Sequence, residues 1–229
     1  MIGNKNEWPW NLENPNMSDE HKVILVHIAK CAGNSLYRNL GLKQKERGIF
    51  TILQLKEMIP AEKFNSYTKI TAVRNPWDRM VSLYQFRKQE GHDKWIYGDK
   101  DYGFKEWLLN PSVKGLRDDS ILMDPNFYKN HLPVLGVEWF GHNKHWLPQL
   151  NMISDTEDNI LVDIILKTET LSEDWQKFAK YIKRDLEPIK RLNTTEHKKY
   201  TEYYDDETIE YVSKLFYKDI SAFNYSFGN

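Results

Sequence analysis

The stretch Val23-Ile24-Leu25-Val26-His27-Ile28-Ala29-Lys30-Cys31-Ala32-Gly33-Asn34-Ser35-Leu36 decides the fold. Val23 to Ile28 is a short apolar run with β-branched residues, the pattern of a buried strand. After the turn, Leu36, Tyr37 and Leu40 recur at helical spacing, with Gly41 as a stop. A loop between a strand and a helix aims several backbone N–H groups at one point, and the helix dipole adds positive potential there. Gly33 lets the backbone approach a ligand closely, Lys30 supplies a mobile cation, and Asn34 and Ser35 supply side-chain donors. The segment therefore reads as an anion cradle. Taken alone, it can also be an ordinary strand-to-helix turn with a chance Lys and Gly.

Working outward, Lys69 to Val73 reads as a second strand, and Asn75-Pro76 opens a helix with Pro76 well placed in its first turn. Met80, Val81, Leu83, Tyr84 and Phe86 form that helix's apolar side. Leu161 to Leu166 is a third strand candidate. Leu53 to Met58, Phe104 to Leu109, Glu173 to Tyr181 and Glu207 to Phe216 read as helices. Residues 191–205 read as a polar loop. Strands alternating with helices predict an α/β fold with a mainly parallel central sheet covered on both faces. Residues 1–20, rich in Asn and Pro, are expected to form an irregular arm. Residues 21–229 are expected to form one domain, with no repeat, linker or low-complexity tract.

The composition narrows the function. The chain has 229 residues, enough for a sizeable core, with 40% hydrophobic and 28% charged residues. Lys and Arg total 32 against 33 Asp and Glu, a net charge of -1, which argues against a general nucleic-acid binder. An anionic ligand must then be held by a local cluster of charge. Cys31 is the one cysteine, so no intrachain disulfide can form, as fits a reducing compartment. No signal peptide or bilayer-spanning run is legible, and a cytoplasmic location is the default expectation.

The loop is not the nucleotide-kinase version, in which Lys follows the last Gly of GxxxxGK[ST]; here Lys30 precedes Gly33. The segment from His27 to Leu36 instead resembles the 5′-phosphosulfate loop of the sulfotransferase family, in which the carbohydrate O-sulfotransferases read roughly HIPKTAGTS. Cys31 and Asn34 stand where Thr is usual, and both keep the residues small. Val73-Arg74-Asn75-Pro76-Trp77-Asp78-Arg79-Met80-Val81-Ser82-Leu83-Tyr84 resembles the same family's 3′-phosphate motif, RNPxxRxxSxY. Arg74 sits at a strand end, where a guanidinium can bind phosphate through two N–H groups. Asp78 and Arg79 read as a structural ion pair on the helix. Weaker similarities follow at Lys167 to Leu171, Asn193 to Tyr200 and Asp219 to Phe227, so the resemblance covers roughly residues 22–227.

The resemblance implies a P-loop-type three-layer fold and transfer of a sulfuryl group from 3′-phosphoadenosine 5′-phosphosulfate (PAPS) to an acceptor hydroxyl. It assigns Lys30, Cys31, Ala32, Gly33, Asn34, Ser35, Arg74 and Ser82 to the donor, with Lys198 joining them from a loop that closes over it. For Lys198 and for His197 beside it, donor contact stands on even terms with a solvated-loop role, and Glu169 is expected to be structural. Sulfuryl transfer is an in-line displacement in which charge grows on the bridging oxygen, and Lys30 fits the stabilising role. The donor chemistry gives no reason to require a metal. The acceptor needs a general base. Many family members carry a His between the two motifs, in a segment resembling HATAxELK, but here that position falls on Ile49 or Phe50. His145, in His145-Trp146-Leu147-Pro148-Gln149, is the candidate replacement, with His142 and His131 nearby in sequence; His27 reads as a packing residue. Trp95, Tyr97, Tyr102, Trp107, Tyr128, Trp139 and Trp146 lie in an aromatic-rich stretch that suits a sugar ring, though most are expected to pack in the core. Two other readings stay open: a non-catalytic nucleotide-binding module that has lost its base, and a nucleotide kinase.

Overall fold

The structure is a computed structural model and describes residues 15–42, 47–110, 143–189 and 198–229. Its sheet has four strands in the order β1 (Met17–Ser18), β2 (Val23–Val26), β3 (Thr68–Val73) and β4 (Ile164–Lys167). β2, β3 and β4 run parallel, with Leu25 opposite Ile70 and Val73 opposite Lys167. β1 is antiparallel to β2. Helices flank the sheet, so the chain has the mixed α/β architecture that the alternating pattern predicts.

The strands are short and apolar because they are covered on both faces. All four β2 side chains are at most 1% exposed, and burial that deep stabilises by about 1.5–3 kcal/mol per large side chain. They share one core with Leu36 and Tyr37 of α1 (Gly33–Asn39), Trp77, Met80 and Leu83 of α4 (Pro76–Gln89), and Trp146. The expected helix after Thr51 is α2 (Ile52–Met58), opened by a reciprocal cap between Thr51 and Gln54. α3 (Ala61–Ser66) follows it; α5 (Lys94–Tyr97) and α6 (Phe104–Leu109) follow α4. Among the described residues the remaining α-helices are α7 (Gln149–Ile153), α8 (Leu171–Tyr181), α9 (Asp206–Leu215) and α10 (Tyr217–Phe223).

Three sequence expectations shift. Met17–Ser18, within the stretch read as an irregular arm, is a strand, and Asn16 beside it is fully buried. A two-residue strand on an edge carries no periodicity to read. The third parallel strand starts at Ile164 rather than Leu161, because Leu161 N–H donates to Ile153 O and Asp163 closes the end of β3 through Lys69. Asp78 and Arg79 do not pair: Asp78 takes Arg74, and Arg79 turns into the core.

Among the described residues no helix is long and apolar enough to cross a membrane. The carboxyl ends of β2, β3 and β4 lie side by side, so the turns that follow them, Ala29–Ala32, Arg74–Asn75 and Thr168–Glu169, share one edge of the sheet. Ligands of open α/β sheets bind at such an edge.

Candidate functional site

The turn after β2 is built from backbone that L-residues seldom adopt. Lys30 has φ 66° and Ala32 φ 57°, both left-handed, on either side of Cys31. Such residues persist only where the surroundings hold them, and turns of this kind point N–H groups into an anion-binding concavity. Gly33 follows, and a Cβ there would lie 2.2 Å from the His27 imidazole. His27 packs directly beneath the turn, its Nδ1 3.2 Å from the Tyr37 hydroxyl. The need for glycine at this position is thus a matter of packing. Asn34 is exposed, whereas Ser35 and Cys31 are buried. Burial pushes the Cys31 thiol up to about 12, so it is a neutral packing group rather than a nucleophile.

Lys30 reaches back over α4. Its Nζ lies 4.1 Å from the centre of the Phe86 ring. Burial first, then the charge of Arg74, pushes its ammonium down to about 8. Asp78, Ser82 and Phe86 follow one another at helical-turn intervals on α4. Asp78 binds Arg74, and Phe86 lies under Lys30, so Ser82 stands between two contacts with the donor-loop side of the molecule.

Arg74 Nε donates to Asp78 Oδ2 at 2.7 Å, and Arg74 Nη1 donates to the Lys30 carbonyl at 3.3 Å. The two turns are therefore in direct contact. Arg79, fully buried, ties a third segment to them: Nε donates to Ala29 O at 3.1 Å, Nη1 to Leu147 O at 2.9 Å and Nη2 to His145 O at 3.0 Å. Gln149 adds a second tie through Arg74 and Cys31. On the β4 side, Asn75 N–H donates to Glu169 at 2.7 Å, and the Asn75 amide donates to Ser226 O at 3.0 Å and Asn229 O at 2.8 Å. Glu169 also accepts from the Tyr225 hydroxyl, the structural part the sequence assigned to it.

The histidines are set apart by burial. His27 is pushed down to about 4, chiefly by burial and then by Arg47 and Lys30. His145 is pushed down to about 3 by burial and then by Arg87, Arg79 and Lys30. Its buried Nδ1 has no hydrogen-bond partner among the described residues, and its ring lies 6.5 Å from that of Phe86. His92 also packs on Phe86, at 5.2 Å, and is exposed. Ile49 is partly buried and Phe50 is buried, so neither fills the place of a proton acceptor.

A family model described as the sulfotransferase family matches residues 14–226. This chain belongs to the sulfotransferase family. No curated protein and no solved structure gives a significant match.

In this sulfotransferase the structure brings Lys30, Cys31, Ala32, Gly33, Asn34, Ser35 and Arg74 to one edge of the sheet, and Ser82 lies on α4 one turn after Asp78. Lys198 is exposed and stands shortly before Tyr200, whose hydroxyl lies 3.4 Å from the Asn75 amide. His131, His142 and His197 lie outside the described residues, as do Tyr128 and Trp139. Trp107 and Trp146 are fully buried and packed on each other at 5.1 Å, and Tyr97 stacks on the buried Tyr102 at 4.0 Å. Trp107, Trp146 and Tyr102 are core residues, and Tyr97 is partly buried against them. Among the described residues no group of three or more His, Cys, Asp or Glu is arranged to hold a metal. Sequence reasoning missed Gln149 as a site-building residue. The motif around it was read for His145, and its partner Arg74 lies far away in the chain.

Proposed function

We propose that this sulfotransferase moves a sulfuryl group from PAPS to an acceptor hydroxyl, with a carbohydrate as the acceptor class. The observation that carries the reading is the contact between the two donor motifs, Arg74 Nη1 on the Lys30 carbonyl at 3.3 Å. It brings the residues that resemble the 5′-phosphosulfate loop and the 3′-phosphate motif to one place. The residues suit such a donor: left-handed backbone at Lys30 and Ala32, a glycine whose Cβ position is filled by His27, and the Arg74 guanidinium close enough to disfavour the charge on Lys30. A polyanion relieves that repulsion.

When bound, the donor supplies the sulfuryl group and a phosphate leaving group. Lys30 is assigned to the bridging oxygen, where negative charge grows as the bond breaks. Gly33, Asn34 and Ser35 offer donors at the start of α1, while Cys31 and Ala32 shape the turn. Arg74 and Ser82 are assigned to the 3′-phosphate, and Lys198 to the outer side. His145 is assigned as the base: it is neutral, and its Nδ1 has no hydrogen-bond partner among the described residues. The carbohydrate acceptor rests on the resemblance alone, because Trp107 and Trp146 are inside the core. The cytoplasmic assignment rests on cysteine usage.

Sulfur-labelled PAPS incubated with a panel of glycans tests the reading, with transfer of label as the expected result. Arg74→Ala should weaken binding of adenosine 3′,5′-bisphosphate by about 1.5–3 kcal/mol, the range for a hydrogen bond to a charged group. Equal stabilisation by ATP and by the bisphosphate would show that Arg74 and Ser82 do not read a 3′-phosphate. A second reading, a nucleotide-binding module without catalysis, is favoured by Phe50 in place of a base and by the low proton affinity of His27 and His145. Binding of the bisphosphate with no label transfer to any glycan would decide for it.

A further inference from the structure

The main chain of Arg74 is held by a side chain rather than by a strand. β2 leaves the sheet after Val26, opposite Thr71, and turns into the donor loop, while β3 continues two residues further, to Val73. On the β4 side the ladder is closed by Thr168 N–H on Val73 O at 2.9 Å. The N–H and C=O of Arg74 both meet Gln149 instead. Arg74 N–H donates to Gln149 Oε1 at 2.8 Å, and Gln149 Nε2 donates to Arg74 O at 2.9 Å. One primary amide thus presents the donor and acceptor that a neighbouring strand would have offered.

The amide is fully committed. Oε1 also accepts from the Cys31 thiol at 3.2 Å, and Nε2 also lies 3.3 Å from Asp219 Oδ2. Gln149 is 0% exposed, so no water competes. Asp219, equally buried on α10, fixes its position: Oδ2 accepts from Gln149 N–H at 2.8 Å and Oδ1 from Leu150 N–H at 2.8 Å. A buried carboxylate is costly to desolvate, as the upward push on the Asp219 carboxyl shows. The fold spends that cost on the first turn of α7, the turn that carries Gln149.

We propose that Gln149, held by Asp219, is a specificity-determining positioning residue. It aligns the main chain of Arg74, and through it the guanidinium that selects a 3′-phosphate, and it locks the donor loop to the same point through Cys31. The proposal rests on the reading of Arg74 as the 3′-phosphate ligand. Gln149 touches no ligand itself; it acts by fixing the peptide from which Arg74 projects. Asp78 restrains the far end of the same side chain through Nε, so Arg74 is held at both its peptide and its guanidinium.

The test is calorimetric binding of adenosine 3′,5′-bisphosphate and adenosine 5′-monophosphate to the full chain and to Gln149→Leu, Gln149→Glu and Asp219→Asn. The wild type should prefer the bisphosphate. In Gln149→Leu the ratio of the two affinities should fall about tenfold, the scale of one charged hydrogen bond lost or misaligned. Affinity for the monophosphate should change much less. Gln149→Glu keeps the acceptor for Arg74 N–H and for Cys31, loses the donor to Arg74 O and faces Asp219, so its ratio should fall between. In an Arg74→Ala background, Gln149→Leu should change the ratio no further. A purely structural role would lower the melting temperature but leave the ratio intact, and an unchanged ratio in a folded Gln149→Leu overturns the proposal. So does an equal loss for both nucleotides, or loss of the fold in all three variants. A wild type with no preference for the bisphosphate refutes the reading of Arg74 and the proposal with it, and that outcome is visible before any variant is made.

Discussion

Lys30 is the residue whose surroundings say most about its task. Its ammonium is held down to about 8 by burial and by Arg74, yet the proposed function assigns it to a polyanionic donor. A phosphate brought beside it favours the charged form and raises that value. Binding of adenosine 3′,5′-bisphosphate should therefore take up a proton above about pH 8, and affinity should fall as pH rises through that point. Calorimetry at pH 9 in buffers of different ionisation enthalpy reads the proton directly; no dependence on buffer would mean that Lys30 does not meet the anion. Turnover should suffer more than binding. Lys30→Ala should slow single-turnover transfer about 10²–10³-fold, as for loss of one donor to a developing oxyanion, with a smaller change in donor affinity. Lys30→Arg should rescue poorly, because a planar fork does not replace a compact ammonium. Gly33 gives a second test at this scale. Gly33→Ala should abolish nucleotide binding or destabilise the chain, because the new methyl meets His27 at 2.2 Å. If that clash is the reason, His27→Ala in the same chain should restore part of the loss, and no recovery would point to the backbone instead.

Between elements, Arg79 does what no strand or helix does here. It joins the end of β2, the start of α4 and the segment before α7 through three carbonyls, from a position that is 0% exposed. Arg79→Met keeps much of the volume but leaves buried carbonyls without donors, each costing about 1–3 kcal/mol. The expected loss is about 3 kcal/mol or more, read as a fall in the denaturant midpoint without a change in slope. Arg79→Lys should recover little, since one ammonium cannot span three acceptors set around a fork. A loss under about 1 kcal/mol in Arg79→Met would show that the segments hold together without it. The residue was legible as part of a motif, but its partners were not. Sequence pairs Arg79 with its neighbour Asp78, whereas the helix turns the two side chains apart, one toward Arg74 and one toward the core.

For the molecule as a whole, two histidines set a limit on acid stability. His27 drops from 6.5 to about 4 and His145 from 6.5 to about 3, both mainly through burial. In the unfolded chain each binds a proton near 6.5, and in the fold neither does until the pH is far lower. Between those values the unfolded state holds more protons, so stability falls as pH drops from about 6.5 towards 4. A shift of the size seen for His27 corresponds to about 3 kcal/mol by linkage. Urea denaturation at pH 7 and pH 5 should show the fall, and His27→Gln should flatten it. An unchanged midpoint between those pH values would place both imidazoles in water.

The sequence by itself determined the parallel strands, the turn after β2, the helix opened by Asn75-Pro76 and the family, because each is written in residues close along the chain. Apolar runs, a glycine three residues after a lysine, and an Asn-Pro cap act over a few residues and can be read locally. The tertiary structure alone decided that Asp78 takes Arg74, that Arg79 serves three carbonyls, and that His145 is a neutral, partly buried imidazole with its Nδ1 turned inward. It also decided that Trp107 and Trp146 face each other and not a sugar. Gln149 shows the reason most clearly. Its partners Cys31, Arg74 and Asp219 are distant in sequence, and a glutamine has no local signature for standing in for a strand. Only the fold, by ending β2 before β3, creates the two unpaired backbone groups that an amide can fill.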